Sequence, residues 1–128
     1  MGNEERCIES PQSDIKKNMT IFGKIIRGEL PSEKVFENER ILAIKDKFPA
    51  APVHILIMPK KEIPNLQALQ PEDLPLISEI ILIAQKLAEE FEITDGYRLL
   101  TNSGEEAGQT VFHLHFHLIG GRRLLHLG

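Results

Sequence analysis

Three histidines occupy alternate positions in His113-Leu114-His115-Phe116-His117. Near neutral pH an imidazole is a nucleophile, a proton carrier and a metal ligand. Three of them in five residues therefore concentrate reactive chemistry in one place. The alternation with apolar Leu114, Phe116 and Leu118 has the period of a strand, which sends all three rings to one face and the apolar side chains to the other. Residues 111–119 are rich in strand formers and closed by Gly120-Gly121, so they are expected to form a single strand.

Three chemistries fit such a row. An incidental polar face is the least apt, because such faces usually mix Thr, Lys, Glu and Ser. A metal site needs imidazole nitrogens at about 2.0–2.1 Å from one ion. His113 and His117 lie roughly 13 Å apart along an extended strand, so a metal would take two of the three and borrow ligands elsewhere, from His54 for example. A central nucleophile, His115, flanked by two polar partners explains both the number and the spacing. Attack requires an unprotonated ring nitrogen, and roughly three-quarters of a free histidine is neutral at pH 7. Burial and mutual repulsion push further that way. A backbone carbonyl of the same strand is expected to accept from the other nitrogen and fix the tautomer.

The elements that must position this row follow in chain order. Residues 1–18 carry Gly, Asn, Ser, Pro and charges and read as an extension. Their acidic start has no apolar run of the kind a signal peptide needs, and Arg6 departs from the myristoylation pattern. Thr20 is placed to cap a short helix, Ile21 to Arg27, with Ile21, Phe22, Ile25 and Ile26 on one side. Lys34–Glu37 and Ile41–Ile44 read as a hairpin around 38–40, with Asp46 at its end. Val53 to Pro59 is a buried strand interrupted by His54, either a satisfied core histidine or a ring facing the triad. Residues 71–91 form the main helix. It carries two apolar stripes, one through Leu74, Ile77, Ile81, Ala84, Ala88 and Phe91, the other through Leu76, Ile80, Ile83 and Leu87. The second stripe exceeds what one sheet face needs, so it is expected at a subunit interface. Tyr97 to Asn102 is the next strand. The loop 103–110, with Gly104 and Gly108 suited to positive φ, leads into the triad and offers Gln109, Thr110 and backbone N–H groups to a phosphate.

Composition narrows the classes. The 128 residues suit one domain, here 19–128 after the extension. A formal net charge of −4 speaks against a nucleic-acid partner held by charge. The single Cys7 supplies neither a disulfide framework nor a cysteine zinc site, which suits a reducing, cytoplasmic setting. No stretch approaches the ~20 apolar residues of a membrane span.

His113 to Ile119 resembles the His-x-His-x-His-x-x signature of the histidine-triad (HIT) nucleotide-binding proteins. Thr20 to Ile26, Pro52 to Lys60, Asn102-Ser103-Gly104 with Gly108 to Phe112, and Gly120-Gly121-Arg122 are similar to the Hint branch, over residues 19–123. The resemblance implies an α+β fold: a five-stranded antiparallel sheet with one short and one long helix, and two sheets joined across a homodimer. It implies a purine nucleoside monophosphate site and hydrolysis of a nucleoside 5′-phosphoramidate, the bond from α-phosphorus to nitrogen, without metal or cofactor. Carried onto this chain, His115 is the nucleophile, with His54, His113 and His117 as its partners in the pocket. Asp46 holds the ribose. Ile21, Phe22, Ile25 and Leu56 line the base slot, and Asn102, Gly108, Gln109 and Thr110 meet the phosphate and leaving group. Thr110 stands where many Hint proteins have Ser. A nucleotide-binding scaffold that needs no catalysis, and a metal enzyme built on His54, His113 and His115, are the two rival classes. The leaving-group proton is assigned to His117 or Thr110.

Overall fold

Parity organises the fold. Strands β2 (Ile41–Lys45) and β3 (Val53–Pro59) are apolar at nearly every position, as strands covered on both faces must be. The computed structural model describes residues 20–126, so the extension read over residues 1–18, with Cys7, lies outside it. β1 (Lys34–Glu37), β4 (Tyr97–Leu100) and β5 (Phe116–Gly120) complete one antiparallel sheet in the order β1-β2-β3-β5-β4. Among the described residues two α-helices, α1 (Ile21–Ile26) and α2 (Leu74–Glu90), accompany it. Among the described residues no helix is long and apolar enough to cross a membrane.

One face carries Ile41, Ala43, Ile55, Ile57 and Leu118, packed with Ile80, Ile83, Ala84, Leu87 and Ala88 of α2. The other carries Leu42, Ile44, Leu56 and Met58, packed with Phe22 and Ile25 of α1. Each such side chain contributes about 1.5–3 kcal/mol when fully buried. The register sets Leu56 beside His117 and His54 beside Ile119, so both histidines share the face that α1 covers. Thr20 caps α1 as expected, its Oγ1 accepting from Gly23 N–H at 3.0 Å. The hairpin also forms as expected, with Asn38 Oδ1 accepting from the N–H groups of Arg40 and Ile41 at 2.8 and 2.7 Å. Gly120 and Gly121 close β5 for steric reasons. A Cβ on Gly120 would meet Ile93 at 3.0 Å, and Gly121 has a φ of +97°.

Three features differ from expectation by more than a residue or two at an element's end. The triad strand begins at Phe116 rather than Val111. In the β3–β5 register Phe116 faces Ile57, so two further steps would bring Leu114 to Pro59, which has no N–H to give. Leu114 N–H turns instead to the Ile63 carbonyl at 2.7 Å. The main helix starts at Leu74, after a 3₁₀ turn over Pro71–Asp73. Pro75 requires this, since a proline is tolerated only in a first helical turn. Finally, the stripe assigned to a subunit interface is the core. Ile80, Ile83 and Leu87 are 0–4% exposed and face this chain's own sheet. The apolar excess lies elsewhere, on Leu74, Ile81 and Leu82, which are 45–59% exposed.

Candidate active site

The chemistry sits where β3 and β5 run side by side beneath α1. A cavity of about 940 Å³ opens there, lined by Ile21, Phe22, Ile25, Ile44, Leu56 and Val111 on its apolar side and by Asp46, Thr110, His115 and His117. Its size lies within the ordinary range for small-molecule sites. The lining surface is mostly apolar, with charged, hydroxyl and imidazole groups among it, as suits a ligand with a flat apolar part and a polar part.

His115 is one of the polar groups that line it. Its Nδ1–H donates to the His113 carbonyl at 2.7 Å, and a carbonyl can only accept. The ring's proton is therefore fixed on Nδ1, and Nε2 keeps its lone pair. Phe22 meets the ring edge-on, with centroids 4.8 Å apart and planes at 83°. Thr101 Oγ1 donates to the His115 carbonyl at 2.7 Å and holds the backbone at the point where the ladder has not yet begun. Burial lowers the pKa of His115; the hydrogen bond to the His113 carbonyl opposes that shift, and the nearby His113 ring adds to it.

A second chain of donors fixes His117. Ala50 N–H donates to His54 Nδ1 at 2.9 Å, so the proton of a neutral His54 lies on Nε2. That nitrogen is 2.9 Å from His117 Nδ1, which must then accept. The proton of a neutral His117 is thereby left on Nε2. Its pKa is lowered to about 4, first by burial, then by the adjacent His115 and His54, with Asp46 opposing. His54 is lowered by burial against the pull of Asp46. The His115 and His117 rings are 5.1 Å apart between centroids.

Asp46, His54 and His117 offer one ligand atom each, all within 4.8 Å of one another. Two imidazoles and a carboxylate are a common set for a divalent transition metal. The fit fails at His54. A metal-bound imidazole normally donates through its other nitrogen, whereas His54 Nδ1 accepts from Ala50 N–H. With Nδ1 accepting, Nε2 must hold the proton, and a protonated nitrogen does not ligate. The donor set is also different from the His54, His113 and His115 set drawn from the sequence.

The cavity gathers eight of the residues named from the sequence: Ile21, Phe22, Ile25, Asp46, Leu56, Thr110, His115 and His117. His54 lies behind it, joined to His117. His113 is not a pocket partner. It is 2% exposed, and its Nε2 donates to the Pro59 carbonyl at 2.7 Å, taking the acceptor that the ended ladder leaves over. Its contribution is the backbone carbonyl that orients His115. Gln109 is turned inward as well. Its Oε1 accepts from Gly104 N–H at 2.8 Å, and its Nε2 donates to the carbonyls of Pro64 and Val111 at 2.8 and 3.1 Å. The side chain expected at the phosphate is thus committed to holding its own loop. Gly104 and Gly108 have the positive φ expected of them, 94° and 96°. Neither Asn102 nor Gly108 lines the cavity. Ser32, Lys47 and Phe48 line it without having been singled out. Ile44 could have been, since it lies two residues before Asp46 and shares its face. Nothing in the sequence marks Ala50, which acts only through its backbone.

Residues 27–124 match the family profile described as HIT domain. A HIT-like protein of Chlamydia pneumoniae is 57% identical over 106 residues, spanning 83% of this chain and 96% of that relative. A HIT family hydrolase from Clostridium thermocellum superposes with a TM-score of 0.82 at 48% identity, over 85% of this chain and 96% of the other. A histidine triad nucleotide-binding protein from Candida albicans gives a TM-score of 0.76 at 34% identity, over 85% and 81% of the two chains.

Proposed function

The chain belongs to the HIT domain family, and from that premise we propose that it is a nucleoside 5′-phosphoramidate hydrolase of the Hint branch, working through a covalent nucleotidyl-His115 intermediate. The observation that carries this is the tautomer of His115. With its proton committed to the His113 carbonyl, the ring keeps a lone pair on Nε2 in a cavity suited to a purine nucleotide.

The reaction runs in two displacements. His115 Nε2 attacks the α-phosphorus, the Nε2–P bond forms and the P–N bond breaks. The nitrogen departs as an amine, so it needs a proton. His117 Nε2 is the donor. A bound phosphate anion places negative charge against the ring and raises its pKa from the free-protein position near 4. The ring then takes up a solvent proton on Nδ1 and passes the proton already on Nε2 to the nitrogen. Protonating His117 removes the acceptor that His54 Nε2–H had, and Asp46 Oδ2, 3.5 Å away, is the alternative acceptor. Water next attacks phosphorus, gives a proton to His117 Nε2 and displaces His115, leaving a nucleoside monophosphate. Splitting one hard step into two is the gain of nucleophilic catalysis. Neither step calls for a Lewis acid. The exposed apolar face of α2 at Leu74, Ile81 and Leu82 supports a homodimer as the working form.

Turnover of adenosine 5′-phosphoramidate by the wild type and by His115→Ala, each with and without EDTA, tests the proposal. His115→Ala should lose roughly several hundredfold or more in kcat while still binding adenosine monophosphate. Retention of more than about a tenth of the activity, a difference of only ~1.4 kcal/mol, would sink the nucleophile assignment. Activity lost to EDTA and restored by Zn²⁺ or Mg²⁺ would replace it with metal chemistry.

A further inference from the structure

Ser32 is a residue that the histidine chemistry leaves unexplained. Its Oγ is buried with no hydrogen-bond partner, the one such side-chain atom among the described residues. Buried hydroxyls are nearly always paired, and one left alone calls for a reason. Ser32 also lines the cavity.

The register says where along the cavity it stands. Lys34 lies opposite Ile44, and Lys45 N–H donates to the Glu33 carbonyl at 2.9 Å. The same pairing carried one residue further sets Ser32 across from Asp46. Directly opposed residues of an antiparallel pair share a face. Here it is the face of Ile44, which packs under Phe22 and Ile25. Ser32 and Asp46 therefore stand together on the cavity side of the sheet. Asp46 Oδ1 already accepts from Phe48 N–H at 2.8 Å. A carboxylate only accepts, whereas a hydroxyl donates as well. Together they complement a vicinal diol, in which one hydroxyl donates to the carboxylate and the other needs a donor. Because Ser32 Oγ has no protein partner, turning it about χ1 toward a ligand forfeits no hydrogen bond.

We propose that Ser32 is a second ribose-recognition residue, whose hydroxyl donates to one oxygen of the nucleotide's 2′,3′-diol while Asp46 accepts from the other. The inference rests on the nucleotide reading of the cavity and deepens it. Ser32 sets sugar specificity and leaves the phosphorus chemistry alone.

The experiment compares wild type, Ser32→Ala and Ser32→Thr on adenosine 5′-phosphoramidate and on its 2′-deoxy and 3′-deoxy analogues, with a thermal melt of each protein alone. Ser32→Ala should lower kcat/KM for the ribonucleotide by roughly three- to tenfold, the effect of one neutral hydrogen bond. On one of the deoxy analogues wild type and Ser32→Ala should perform alike, because the contact is already absent. Ser32→Thr, which keeps the hydroxyl, should restore discrimination. Ser32→Ala should melt at or above the wild-type temperature, since no protein bond is lost. Equal losses on all three substrates, no loss on any, or a lower melting point would overturn the assignment. A wild type that cleaves all three equally would overturn it too, with the phosphoramidate reading intact. A wild type that cleaves none would instead defeat the reading beneath it.

Discussion

Lowering the pH puts the neutral His115 to a quantitative test. A histidine with the ordinary pKa near 6.5 is about 76% neutral at pH 7, about 24% at pH 6 and about 3% at pH 5. The attacking, neutral fraction of such a ring would fall about threefold over the first interval and about 24-fold over both. Burial lowers the pKa of His115, and His117, the adjacent ring, is carried to about 4. The acid limb must then lie below 6.5. The fall from pH 7 to 6 should be under about threefold, and from pH 7 to 5 under about 24-fold. The assay is an NMR titration of the His115 ring in the free protein, which follows this ionisation without the proton that turnover needs on His117. A limb with its midpoint at 6.5 or above would show that the ring is not desolvated, and the account of the site built on burial would be wrong.

Stability should respond to the same ionisations. His117 has a lower pKa folded, about 4, than unfolded, ~6.5, so the unfolded chain binds more protons between those values. Stability should be level above about pH 6.5 and fall as pH drops toward 4. Allowing for partial solvent exposure, the loss at pH 5 should be about 1 kcal/mol, read from urea midpoints at pH 7 and 5; equal midpoints would contradict it. Ile80→Ala should cost about 2–5 kcal/mol, because Ile80 is 0% exposed within the sheet–helix core; a cost under ~1 kcal/mol would mean that α2 faces the sheet differently. Leu82→Glu, at a site 59% exposed, should leave monomer stability within about 0.5 kcal/mol and abolish self-association in light scattering. A wild type that is already monomeric at micromolar concentration would refute that interface. Gln109→Ala should destabilise the protein by about 1–3 kcal/mol, because Gly104 N–H and the Pro64 and Val111 carbonyls lose their partner. Unchanged denaturation together with weakened phosphate binding would return Gln109 to the ligand.

Where local chemistry decides, sequence and structure agree. The Thr20 cap, the hairpin around Asn38 and the strand from Val53 to Pro59 each depend on residues within a few positions of one another. His54 fits both of its expected roles, being 9% exposed and bonded to His117. The departures come from partners remote in the chain. His113 leaves the strand because Pro59, 54 residues away, ends the ladder and frees a carbonyl. Gln109 turns from the expected phosphate because Pro64, 45 residues away, is within its reach. The apolar stripes of α2 were both visible, but their spacing does not say which meets the sheet. That depends on how the helix crosses it, and the arc that packs, Ile80, Ile83, Ala84, Leu87 and Ala88, draws on both stripes.

The strand order has a consequence for synthesis. Among the described residues β5 is the last strand to be made, yet it lies between β3 and β4. β4 is therefore made before β5, its partner among the described residues, and β3 waits with one edge bare. Domains made N-terminus first expose such edges while the chain is incomplete. The nascent chain must carry an apolar β3 with one bare edge from Pro59 until Phe116 is made, when edge-to-edge association is a hazard. The arrival of five residues, Phe116–Gly120, closes that edge, recruits β4 and brings His117 to His54 together. Closure of the sheet and assembly of the His54–His117 contact thus coincide, and a chain interrupted before Phe116 has neither.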